Sequence, residues 1–313
     1  MGDVFLTTLT PVLTMLTYIA VGFFLGKKKL LPDSSDKTLS QLLSNIIAPA
    51  MNIGTFSKYC TVTSLKDNLP MLLISTAVCL VAIGIACALG GLFSKDAYQK
   101  NVYRYALAFS NSGYMGSPVV LVLLGQEGLY RYLLFCIPMT FLIYTWGLSI
   151  LIPGDKGKKI SFKKLLNPCV VGMLIGMVMG LTGITGYVPE FLTGTLDALS
   201  NTMGPLAMLL TGLVIAKFNL GASLKRPAVY VATFFRLILL PVLFLSVLLL
   251  FRVDSTTIKL CLFAYATPLG LNTVVFPSAY GGDPSTGASM ALVSHSLCVL
   301  TIPLLYAVIS VLI

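Results

Sequence analysis

Long apolar runs separated by short polar stretches recur along the whole chain. Runs of eighteen or more largely uncharged residues fit helices that cross hydrocarbon. The pattern predicts ten of them, at about 4–26, 38–57, 69–93, 103–124, 130–152, 166–186, 191–216, 228–251, 258–280 and 286–312. The expected fold class is therefore an all-α polytopic membrane protein. Composition sharpens this: of 313 residues 57% are hydrophobic and 10% charged, with a mean hydropathy of +0.92. A soluble domain carries about 25% charged residues. The N-terminal MGDVFLTTLTPVL lacks the basic region of a cleavable signal, so the first apolar run reads as a permanent span.

The formal charge of +10 raises the question of a nucleic-acid partner. Its distribution answers it. Lys27, Lys28, Lys29 and Lys37, then Lys95, Lys100 and Arg104, then Lys156, Lys158, Lys159, Lys163 and Lys164, then Lys217, Lys225 and Arg226 fall in the odd-numbered connections. Only Lys58, Lys66, Arg131, Arg252 and Lys259 fall in the even ones. Such a bias over short loops places the odd connections in the cytoplasm and both termini outside, in a plasma (inner) membrane. Charge scattered over four loops does not make a nucleic-acid surface. The seven cysteines form no CxxC pair, so neither a metal site nor a disulfide framework is expected, and no cofactor.

A shift of 156 positions brings unusual features into register. LSNIIAP (43–49) falls on LSNTMGP (199–205), matching Asn45 with Asn201 and Pro49 with Pro205. LAFSNSGY (107–114) falls on FAYATPLG (263–270), and GQEG (125–128) on GGDP (281–284), pairing Gly125 with Gly281 and Glu127 with Asp283. The domains expected are a first five-helix repeat at 1–152, a cytoplasmic linker at 153–165 and a second repeat at 166–313. Five spans per repeat is an odd number, so the second copy enters the membrane from the opposite side. Inverted repeats of this kind typify secondary transporters, whose sites lie where discontinuous helices of the two halves meet.

The fourth and ninth spans are those helices. In the fourth, Asn111, Ser112, Gly113, Gly116 and Pro118 lie within eight residues. In the ninth, Pro268, Gly270, Asn272, Thr273 and Pro277 do the same work. Proline removes an amide and glycine tolerates conformations other residues avoid, so both spans should unwind locally. Half-helix amides directed at such a break attract an anion.

On these residues the chain resembles the auxin efflux carrier family, which includes plant PIN-type carriers and bacterial permeases for malate, malonate and similar anions. FSNSGYMGSPVV looks like the family's asparagine-glycine-proline crossover, and ATPLGLNTVVFPSAYGGDPSTGASMALVSHSLCVLTIPL resembles its ninth and tenth spans. The likeness covers essentially the whole chain. It implies a scaffold at about 1–57 and 166–217, a transport domain at about 69–152 and 228–313, and elevator-like movement around substrate held at the crossover. It also carries Asn111, Pro118, Pro268 and Asn272 over as crossover positions. Asn45, Pro49, Asn201 and Pro205 then belong to the scaffold and either face the site or kink the helices around it. A central loop as short as IPGDKGKKISFKK, without the long hydrophilic loop of long PIN carriers, marks a compact member.

Three ionisable groups complete the list. Arg236, inside the eighth span, either pairs with a carboxylate substrate, stabilises the C-terminal end of a half-helix, or snorkels or makes a structural pair inside the bundle. Asp197 is either a protonation site or an interfacial residue, and His295 either a proton relay or a hydrogen-bonded interior histidine. The function expected is secondary transport of small organic carboxylates, with proton or sodium coupling and a homodimeric state both left open. A sodium symporter of the bile-acid type, a channel or receptor, and an intramembrane enzyme are the alternatives. No acidic residue sits in either crossover, and no nucleophile elbow accompanies His295.

Overall fold

The computed structural model describes residues 2–153, 166–217 and 226–313. The linker expected at 153–165, with its five lysines, therefore lies outside the described residues except for Pro153, as does Lys225. The described residues form helices and no strand: α1 (Gly2–Lys27), α2 (35–59), the short α3 (Val62–Asp67), α4 (Leu69–Phe93), α5 (Ala97–Ala108), α6 (Ser112–Phe135), α7 (Ile137–Leu151), α8 (Pro168–Thr182), α9 (Glu190–Ala216), α10 (Pro227–Leu250), α11 (Ser255–Tyr265), α12 (Asn272–Tyr280) and α13 (Ser285–Leu312). Among them, five are long and apolar enough to cross a membrane, or six if bent α13 counts as one span. The chain is thus a polytopic helical membrane protein. Length alone finds fewer spans than the apolar runs do because several runs are divided: α5, α11 and α12 are each shorter than a bilayer requires.

Local chemistry fixes where the helices begin. Asp96, Asn167 and Asp254 each accept a hydrogen bond from the third backbone amide beyond them, at Gln99, Val170 and Thr257, capping α5, α8 and α11. Gly183 and Gly281 end α8 and α12 with φ of 71° and 78°, and Gly125 bends α6 sharply with φ 70°. Gly125 and Gly281, paired by the 156-residue shift, thus share a positive φ. Their neighbours differ in role: Glu127 forms an i,i+4 ion pair with Arg131, whereas Asp283 receives the Ser285 amide at the start of α13.

Two close helix pairs frame the molecule. α1 runs along α9, and α8 along α2. Without a hydrophobic force between helices in lipid, close packing relies on small residues. On α8, Gly172, Gly176 and Gly180 lie one turn apart, against Pro49, Ile53 and Phe56 of α2 and Cys60 just beyond it. On the other pair Gly22 abuts Leu209, Gly26 abuts Ala216, and Gly212 abuts Ile19 and Phe23. Residue numbers rise together along both contacts, so each pair is parallel.

Candidate functional site

The fourth apolar run divides at Phe109–Asn111, between α5 and α6, and the ninth at 266–271, between α11 and α12. The first break therefore comes earlier than the Gly113, Gly116 and Pro118 expected to cause it. Those three lie inside α6, whose first turn is wide (Ser112–Gly116). Pro118 sits in the turn that follows, and the wide turn accommodates its missing amide. Gly116 instead gives room to the Tyr132 hydroxyl, which fills the space a Cβ would take. In the second break Pro268 and Gly270 do lie in the irregular segment, while Asn272 and Thr273 open α12.

The two irregular segments cross in contact. Ser110 and Leu269 form an antiparallel bridge, and the Asn111 amide donates to the Pro268 carbonyl at 2.8 Å. Gly270 lets the segments approach, since a Cβ there would stand 3.1 Å from the Ser110 carbonyl oxygen. α13 holds both segments. Ser294 Oγ accepts from the Leu269 amide at 3.2 Å, and His295 Nε2 lies 3.2 Å from Asn111 Nδ2.

Four half-helix ends meet here, and they are treated differently. Carbonyl ends find protein donors. Ser110 Oγ donates to Ala264, Tyr132 Oη donates to Phe263 (and to Ser112 at the start of α6), and Arg236 Nη1 donates to Leu107 at 3.0 Å. Arg236 is 2% exposed and stacks its guanidinium 5.7 Å from the Tyr265 ring centre. Its guanidinium thus bonds a carbonyl in the last turn of α5. The amide end of α6 is different. Met115 and Gly116 are the first amides to bond back, both to the Asn111 carbonyl, so those of Ser112, Gly113 and Tyr114 precede the helical ladder.

Ser112, Gly113 and Tyr114 border a cavity of about 330 Å³. Asn111, Ser112, Gly113, Gly270 and Asn272 line it together with Ser110, Tyr114 and Tyr132. No Lys, Arg, Asp, Glu or His is among its described lining residues. Asn272 also donates to Tyr105 Oη at 2.9 Å. The opposite wall comes from Ser44, Ala48, Met51, Asn52 and Phe56 of α2, Cys169, Val170 and Met173 of α8, and Met203 of α9. Asn52 Nδ2 ties α2 to the Cys169 carbonyl at 2.8 Å, leaving its buried Oδ1 without a partner among the described residues.

The remaining expected residues lie off this cavity. Asn45 and Asn201 are exposed. Asn45 stands one position, about 100° of helix turn, from Ser44 on the lining stripe. Pro49 packs on α8 at Gly172, and Gly204, the neighbour of Pro205, packs on Pro118. Pro118, Pro268, Thr273 and Arg236 are not in the lining, and His295 stands behind Asn111. Asp197 forms an ion pair with Lys58 at 2.8 Å, its side chain 43% exposed. An exposed pair contributes at most about 1 kcal/mol. Asp197→Asn is accordingly expected to leave the protein's thermal stability and transport rate close to wild type, checked by parallel unfolding and flux assays.

Comparison with known proteins agrees on the class. A model of a family described as "Membrane transport protein" matches residues 7–164 and 155–306. An uncharacterized transporter of Methanocaldococcus jannaschii is 24% identical over 299 residues, covering 94% of this chain and 96% of its own. An uncharacterized transporter of Methanothermobacter thermautotrophicus is 25% identical over 218 residues, covering 68% and 69%.

Proposed function

Since this chain belongs to the membrane transport protein family, the auxin efflux carriers whose motifs it bears, we propose that it is a secondary carrier of small organic carboxylate anions, binding them where its two broken helices cross. Family membership already makes it a multi-pass membrane transporter and not an enzyme. The observation that carries the finer reading is the inequality of helix ends at the crossing. Carbonyls at Leu107, Phe263 and Ala264 are met by protein donors, whereas the amides of Ser112–Tyr114 precede the helical ladder in residues that line a cavity with no charged side chain among its described residues. A carboxylate supplies what is missing there.

The cavity's other walls suit the rest of such a molecule. Phe56, Tyr114, Phe141 and Tyr144 give apolar surface, and Asn52 Oδ1 gives an acceptor for a hydroxyl or N–H donor. The absence of acidic side chains from the lining weighs against a sodium site, which needs several oxygen ligands.

In the same reading the molecule has ten spans in two inverted five-helix repeats, with both termini outside the cytoplasm. α1, α2, α8 and α9 form the scaffold, against which the crossing domain moves as an elevator in the plasma membrane. Support comes from the reciprocal pairing of α1 with α9 and of α8 with α2, both parallel, and from the shared positive φ of Gly125 and Gly281. The test is reconstitution into liposomes and counterflow of labelled malate, malonate and indole-3-acetate under imposed proton or sodium gradients. Saturable exchange of at least one of them is the expected result. No exchange under any gradient contradicts the reading, and flux that never saturates points to a channel.

A further inference from the structure

His295 is 1% exposed and does not line the cavity, yet it holds Asn111, a cavity residue whose backbone amide bonds the other broken segment. Its Nδ1 lies 2.7 Å from the Ala291 carbonyl oxygen. A carbonyl can only accept, so Nδ1 carries the ring proton, and in the neutral imidazole Nε2 is left with a lone pair. Asn111 Nδ2 donates to that lone pair at 3.2 Å. The other end of the Asn111 carboxamide, Oδ1, has no hydrogen-bond partner among the described residues. An acceptor at the cavity wall repels a carboxylate.

Adding a proton to Nε2 reverses this. Both ring nitrogens then donate, and Nε2–H facing Asn111 Nδ2 sets two donors against each other. Rotation of the carboxamide by half a turn restores the bond with Oδ1 as acceptor. Nδ2 is then the end turned away from His295, joining the amides of Ser112–Tyr114 as a donor. We propose that His295 is the positioning residue that couples anion binding to proton uptake, setting through Asn111 whether the cavity presents an acceptor or a donor to the substrate. This rests on the carboxylate reading above.

The electrostatics point the same way. A buried imidazolium is costly without a counter-charge. Several titratable and charged groups on the helices packed against α13 are engaged elsewhere: Arg226 with Thr286, Arg236 with the Leu107 carbonyl and the Tyr265 ring, Tyr105 with Asn272, and Asp197 with Lys58. On α13 itself Cys298 donates to the His295 carbonyl. No carboxylate of the described residues pairs with His295, so the bound anion is the counter-charge. The proton adds one positive charge beside the crossing, and one carboxylate group offsets it. By linkage each ligand then tightens the other.

The test uses the full-length protein in detergent and in liposomes, with malate, malonate and indole-3-acetate as probes. Binding is measured between about pH 7 and about pH 8, above the titration range of the probes' carboxyl groups. Wild type is expected to weaken by up to about tenfold per pH unit as pH rises, the limit for one co-bound proton. A pH indicator in weak buffer should report about one proton taken up per carboxylate bound. His295→Gln, which hydrogen-bonds but carries no proton, is expected to bind with no pH slope. Binding by wild type without proton uptake, or a wild-type slope in His295→Gln, overturns the coupling while leaving the carboxylate site standing. If wild type binds none of the three probes, the carboxylate reading itself falls and this proposal falls with it. Proton uptake is read on wild type, so a poorly folding variant cannot obscure the answer.

Discussion

Asn111→Ala is expected to cut carboxylate binding and counterflow by roughly 10- to 100-fold while the protein stays folded. The backbone at this position does the structural work: its amide bonds Pro268, and its carbonyl receives Met115 and Gly116. Alanine keeps all three bonds. What it removes is the carboxamide, hence the bond to His295 and the polar group offered beside the α6 amides. A hydrogen bond to a charged group contributes about 1.5–3 kcal/mol, and each 1.4 kcal/mol is about tenfold in affinity. The cost to stability is about 1–3 kcal/mol for the His295 nitrogen left without a partner. Radiolabel binding, counterflow and a thermal melt of the same preparation separate the two effects. Unchanged transport would make the first break a structural kink.

The second large effect is expected at the frame. At Gly212 a side chain has nowhere to go, because a Cβ would overlap backbone atoms of Ile19, Gly22 and Phe23 on α1. Gly22 meets the Leu209 carbonyl across the same contact, so the two helices touch backbone to backbone. Gly212→Val must push α1 away from α9 along the length of their pairing. Overpacking of side chains costs about 1–3 kcal/mol, and here the obstacle is main chain that cannot change rotamer. Loss of a monodisperse peak in size-exclusion chromatography, or a melting temperature lowered by several degrees, is the expected outcome. Gly84→Val on α4, where nothing lies within 4 Å of an added Cβ, is the control. A Gly212→Val protein as stable as that control would show that the close contact is not needed.

How much of this was legible in the sequence differs by element. Apolar runs made the membrane class plain, and the crossover motifs led to the family that the comparison bears out. The break was harder to locate. Gly113, Gly116 and Pro118 look like the cause of the fourth-run break, but a proline in the first turns of a helix costs little. The chain actually opens at Phe109–Asn111, where no glycine or proline stands. What holds it open is the pairing with residues 268–270, a contact between segments more than 150 positions apart in the chain. No local pattern reports such a contact.

The cavity's far wall was illegible for another reason. Ser44, Ala48, Met51 and Asn52 form a stripe of helical spacing, but small and apolar side chains line a cavity and face lipid equally well. The matched Asn45 and Asn201 drew notice as polar residues in apolar runs, and both are exposed. Arg236 was legible as a charge within an apolar run with several roles open to it. Its bond to Leu107 depends on where α5 ends, which the run of apolar residues conceals.

The central claim is that a carboxylate sits at the crossing of the two broken segments. The most direct measurement is a cryo-EM structure of the reconstituted protein with the carboxylate that exchanges fastest, at saturating concentration. The account predicts density for its carboxyl group against the amides of Ser112, Gly113 and Tyr114 and the carboxamide of Asn111. Density elsewhere, for example among Lys27, Lys29 and Lys217 beyond the end of α1, with the crossing empty, would contradict it.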